Sequence, residues 1–125
     1  MIRLNLAVAS AIAVLGVVAP TVATAQEVVS LEDHMTCAAI FYAQAQISTD
    51  AEQVDAFEAA TGLMLNRATP LGARQGLTTD QVIERSAAEA DRILARTNAA
   101  PAEADQIIWN WGIGMDRCIT AALEE

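Results

Sequence analysis

The chain has 125 residues, with seven arginines, no lysine and 16 acidic residues, for a formal net charge of −9. That balance excludes nucleic acid and anionic lipid headgroups as partners, because both are recognised through clustered basic side chains and no arginine cluster is present. Two cysteines and one histidine, set among scattered carboxylates, supply no transition-metal cluster.

Residues 1–25 have the pattern of a cleaved export signal. Arg3 and the α-amine supply a short positive start, Leu4 to Ala19 an apolar run, Pro20 a break, and Ala23-Thr24-Ala25 the small residues a signal peptidase needs. The apolar run is shorter than the ~20 residues of a spanning helix, and no basic stop-transfer cluster follows it. Cleavage after Ala25 leaves 26–125 as a single all-α domain carrying six arginines and 16 acids. The expected destination is the periplasm or the medium, where disulfides persist, without stable membrane association after cleavage.

Four helices follow in chain order. Ser30 caps the first, with Glu32 and Asp33 in its opening turn favourable to the helix dipole. Leu31, Met35, Ala38, Tyr42 and Ala45, widened by Cys37 and Phe41, form its apolar stripe to about Ile47. Thr49 and Glu52 make a capping box for a second helix, with Val54, Phe57, Thr61 and Met64 on its face, to about Arg67. Residues 69–77, with Pro70, Gly72 and Gly76, read as a loop. Thr78 and Gln81 box the third helix, which carries Val82, Ile83, Ala87, Ala90, Ile93 and Leu94 to about Asn98. Pro101 opens the fourth, whose stripe is Ala104, Ile108, Trp111, Met115, Cys118 and Ala122. The expected fold is a small antiparallel four-helix bundle, up-down-up-down.

In that topology the first helix runs antiparallel to the fourth, which sets Cys37 near its beginning beside Cys118 near the other's end. Both lie on facing stripes, so a Cys37–Cys118 disulfide joining the first and last helices is expected. Closing so long a loop is worth up to about 4.5 kcal/mol in the chain-entropy model. Phe41, Phe57, Met64, Ile93, Ile108, Trp111 and Met115 are the expected core.

No catalytic, metal or cofactor set emerges. Ser48 and Ser86 lack the partners of a nucleophile. Asp50, Glu52 and Asp55 lack the glycine and final glutamate of a calcium loop. His34 lies too far along the axis from Met115 to share a haem with it, and reads as a surface residue or a neighbour of Asp33. No enzyme activity and no cofactor are expected.

The anomaly is Ile107-Ile108-Trp109-Asn110-Trp111-Gly112-Ile113-Gly114-Met115. On a continuous helix Trp109 and Ile113 point away from the stripe, so either the 69–77 loop covers Trp109 or the face meets a partner. Trp109, Ile113, Leu71, Arg74 and Leu77 are the candidate interaction surface. In size, compartment and the Thr36-Cys37 pair at the start of a helix, the chain resembles small exported helical proteins such as acid-stress chaperones and periplasmic immunity proteins. The function expected is a small exported helical protein acting by contact, through helix four and the 69–77 loop, with a protein partner or a second copy. A periplasmic acid-stress chaperone is the alternative, and an enzyme or cofactor-binding bundle stands third.

Overall fold

The computed structural model describes residues 28–124, so the expected export signal lies outside the described residues. What is described is all-helical: α1 (Leu31–Ile47), α2 (Ala51–Arg74), α3 (Thr79–Ala99), a 3-10 turn η1 (Pro101–Glu103), α4 (Ala104–Trp109) and α5 (Met115–Leu123). Among these none is long and apolar enough to cross a membrane.

α1 is the hub. Ser30 caps it by accepting the Asp33 N–H at 3.0 Å. Ser48 ends it, its N–H and hydroxyl both donating to the Gln44 carbonyl. The helix contacts each of α2, α3, α4 and α5 and is buried nearly all round. Its expected stripe is therefore too narrow. Ala39, Ile40, Ala43 and Gln44 are buried as well, while Tyr42 on the stripe is 42% exposed. Alanines explain this, since their small side chains let neighbours approach from several sides. His34 is also buried rather than on the surface, its Nδ1–H donating to the Ser30 carbonyl at 2.7 Å.

α2 begins on Asp50 rather than Thr49, the Asp50 carboxylate accepting the Glu52 N–H. It then runs past Arg67 and through Pro70 to Arg74, so most of the expected 69–77 loop is helix. Pro70 removes one backbone donor, and its ring points to solvent, where the interruption is tolerated. The true stop is Gly76 at φ 82°, with the Gln75 and Leu77 N–H groups both donating to the Gly72 carbonyl at 2.9 Å. Gly72 has a different task. A Cβ there would sit 2.5 Å from Val82 Cγ2, so the glycine lets α2 close on α3.

α3 has the capping box read from Thr78 and Gln81. The expected fourth helix is in pieces. It stops at Trp109, turns through residues 110–114, and restarts as α5 at Met115. Gly112 at φ 55° and Gly114 at φ 97° hold the turn, closed by the Gly114 N–H on the Trp111 carbonyl at 2.9 Å. The turn carries Trp111 off the stripe: Ile108, Met115 and Cys118 are fully buried, while Trp111 between them is only partly so.

Cys37 of α1 and Cys118 of α5 form the disulfide, with Cα atoms 5.4 Å apart and both residues wholly buried. Phe41, Met64, Ile93, Ile108 and Met115 pack around it as expected, while Phe57 and Trp111 lie against that cluster half-buried. Leu31, Met35, Ala68 and Val82 form a second cluster. Arg67 ties α2 to the end of α5, donating to the Ala121 carbonyl at 2.8 Å and the Glu124 carbonyl at 2.7 Å. The Ala121 carbonyl also accepts the Glu124 N–H at 3.2 Å, so the guanidinium adds a second donor at this helix end.

Candidate functional site

Trp109 is the last residue of α4 and is 40% exposed. It forms one wall of an open groove of about 540 Å³, with Asp105 and Gln106 from its own helix, Gln53 and Phe57 from α2, and Gln44 from α1. The spacing explains the gathering. Residues three and four apart share a helix face, so 105, 106 and 109 converge on one side and 53 and 57 on the other. Phe57 is held from behind by Phe41, ring centroids 6.0 Å apart and tilted by 32°. The aromatic wall is thus positioned before anything binds.

Gln44 lies at the base. Its side chain is only 7% exposed, and its Nε2 donates to Asp105 Oδ1 at a long 3.4 Å. Its Oε1 is buried with no hydrogen-bond partner. A buried carbonyl oxygen without a donor costs about 1–3 kcal/mol, and its presence needs a reason. None of the six lining residues is basic. The groove is therefore rich in acceptors and aromatic faces and lacks cations of its own.

The adjoining turn is anchored on α3. The Trp111 indole N–H donates to Glu89 Oε2 at 2.6 Å, and Arg92 pairs with the other carboxylate oxygen. Burial by itself would push the Glu89 carboxyl up; the Trp111 bond first, and Arg92 second, outweigh it and hold the group below the usual carboxylate range. At the tip of the turn, Gly112 faces Thr36 of α1 so closely that a Cβ would lie 2.8 Å from Thr36 Cγ2.

The five residues expected to form one surface do not gather in one place. Trp109 lines the groove, and Ile113 is half-buried against the main cluster. Leu71 and Leu77 pack on Leu31, Met35, Ala68 and Val82, towards the start of α1. Gln44 is thirteen residues further along α1, about 20 Å at 1.5 Å per residue. Arg74 is exposed at the end of α2. Gln44, Gln53, Phe57, Asp105 and Gln106 were not expected as partners of Trp109. One signal is in the sequence: Gln44 is a large polar residue between alanines, closing a run from Cys37 to Ala43 that has no charged or amide side chain. Among the described residues no three His, Cys, Asp or Glu side chains gather to hold a metal ion. No family model, curated protein or solved structure matches this chain.

Proposed function

We propose that this chain is an exported, non-catalytic binding protein that captures a partner protein in the Trp109 groove, with an arginine of the partner as the anchor. The observation that carries this is the buried, donorless Gln44 Oε1 beside an exposed indole and a carboxylate. A guanidinium presents five donors in one plane. It satisfies Gln44 Oε1, pairs with Asp105 and lies flat on Trp109, a cation–π contact worth about 0.5–2 kcal/mol. The net charge of −9 steers basic partners towards the chain and sets two copies of it against each other, which favours a foreign partner over a homodimer. The compartment is the periplasm or the medium. η1, α4 and α5 together act as the segmented fourth helix of an up-down-up-down bundle, its first and last members joined by the disulfide.

The test is a titration of tryptophan emission with a short peptide carrying a central arginine, against the same peptide carrying neutral, isosteric citrulline. The arginine peptide should perturb the emission and the citrulline peptide should not, with the effect abolished in Trp109→Phe. Equal responses to both peptides would rule the anchor out.

One observation favours the acid-stress chaperone as a second possibility. The Trp111 turn is held by the Glu89 carboxylate, and protonation weakens that hold. An apolar dye that brightens as pH falls from 7 to about 3, and brightens at higher pH in Glu89→Gln, would support it. No dye response over that range would dispose of it.

A further inference from the structure

A second cavity, sharing no residue with the Trp109 groove, lies between α1, α2 and α3. It holds about 390 Å³, at the small end of ligand sites (~300–1,000 Å³). Its inner wall is made by small buried side chains, Ala38 and Ala39 on α1 with Ala90 on α3, where larger residues would have filled the space, and Ala87 stands exposed at its mouth. Tyr42 and Ile83 also line it, and each leaves over two-fifths of its surface in solvent. Two large apolar side chains beside an apolar hollow form a surface with nothing yet packed on it.

Four lining side chains carry polar atoms: Tyr42 its phenol, Thr61 a hydroxyl already donating to the Phe57 carbonyl at 2.8 Å, and Ser86 and Asp91. Ser86 lines the cavity, is 5% exposed, and its Oγ is buried without a hydrogen-bond partner. A helical serine ordinarily satisfies its hydroxyl on the carbonyl four residues back, here Val82, and this one does not. Asp91, also on the lining, is exposed. No basic residue lines the cavity. An apolar body would fit the alanine-walled interior, and a hydroxyl or amine would meet Ser86. A carboxylate would face Asp91 with no cation to compensate it.

We infer that this cavity binds a small apolar molecule with one neutral or cationic polar end, of the alcohol or amine class, and rejects the matching carboxylate. The site is independent of the Trp109 groove, and either can fail without the other.

The test uses the purified oxidised protein with three probes of equal chain length, octanol, octylamine and octanoate. Binding is followed by calorimetry and by backbone amide shifts. Octanol and octylamine should bind, shifting amides of α1 and α3 around Ala39 and Ser86, with octanoate at least about tenfold weaker. Ala87→Leu sets a larger side chain across the mouth from a solvent-exposed position and should abolish binding without unfolding the chain. Ser86→Ala should weaken octanol several-fold while leaving the ligand-free melting temperature unchanged or raised, because it removes an unsatisfied hydroxyl. Trp109→Ala should bind all three probes as the parent does. Equal affinity for the three, shifts elsewhere, or binding that survives Ala87→Leu would overturn the site. A Ser86→Ala variant that loses stability and keeps full octanol affinity would show that the hydroxyl serves only the fold.

Discussion

The indole N–H of Trp111 donates to Glu89 Oε2 at 2.6 Å across the gap between the glycine turn and α3. This bond places a tryptophan, expected in the core, at its edge, and makes the turn dependent on the charge of one carboxylate. Glu32, Arg85 and Arg92 line the same cleft as Glu89. The folded state holds the Glu89 proton less tightly than the unfolded chain does, since its carboxyl lies below the usual range. Its stabilisation is therefore complete above the ordinary carboxylate range near ~4.3 and lost as pH falls through the lower folded value.

Glu89→Gln should lower unfolding stability at pH 7 by about 1 kcal/mol or less, the charged hydrogen bond being discounted for solvent around a half-exposed pair. The gap between variant and parent should close as pH falls towards ~3. Urea midpoints across that range would check it, and a gap that widened in acid would reverse the assignment.

The disulfide gives a second expectation. The bonded cysteines are 81 residues apart, and both are fully buried, so reductants should reach them only through unfolding. Thiol labelling of the unreduced, denatured protein should find no free thiol. Replacing both cysteines by alanine should cost about 2–5 kcal/mol, a large share of the ~5–15 kcal/mol typical of net stability. A double variant that melts with the parent would show that the bond constrains little.

Gly112 tests the turn itself. Alanine there meets two obstacles, a positive φ of 55° and the Thr36 methyl at 2.8 Å. The backbone penalty alone is about 1–2 kcal/mol. Thr36 is β-branched and stiff in a helix, so it yields little. Gly112→Ala should therefore cost more than that, and adding Thr36→Ala should recover the excess but not the backbone share. If the double variant is no better than the single, the contact does not limit the turn.

How much of this was legible depends on the kind of signal. Caps written as one residue type at one position, Ser30 and the Thr78–Gln81 box, could be read directly. So can the cysteine pair, because the expected topology and the expected compartment both point to the bond that is present. Residues 69–77 mislead because proline and glycine are general helix breakers. Pro70 sits on an exposed helix face, and Gly72 is needed for contact with Val82. Gly112 and Gly114 misled in the opposite direction, since an apolar 3.6-residue pattern ran straight through them. The stripe was real at Ile108, Met115 and Cys118, but periodicity cannot register a turn whose flanking helices happen to keep facing the same core. The Trp109 groove was legible only in its tryptophan. Its other members come from two further helices, and a single sequence does not show which faces meet.

The Trp109 groove supplies the last expectation. Trp109 is 40% exposed at the end of a short helix, and the core around Ile108 and Phe41 is complete without it. Truncation to alanine should thus move the melting temperature by no more than about 2 °C, the scale of a surface change. The same truncation removes the platform on which a guanidinium would lie, and should weaken binding of the arginine peptide by ~10-fold or more, as for an aromatic anchor. Gln44→Leu is the complementary change. It replaces a buried, partly unsatisfied amide with an apolar side chain of similar length, which is neutral or stabilising for the fold. It also deletes the acceptor, so stability should hold or rise while binding falls. That opposite movement is what separates a recognition residue from a structural one, because a structural Gln44 would lose stability and leave binding alone. Thermal unfolding and peptide titration on these two variants decide it. A Trp109→Ala protein that melts normally and binds normally would remove the groove as a recognition site.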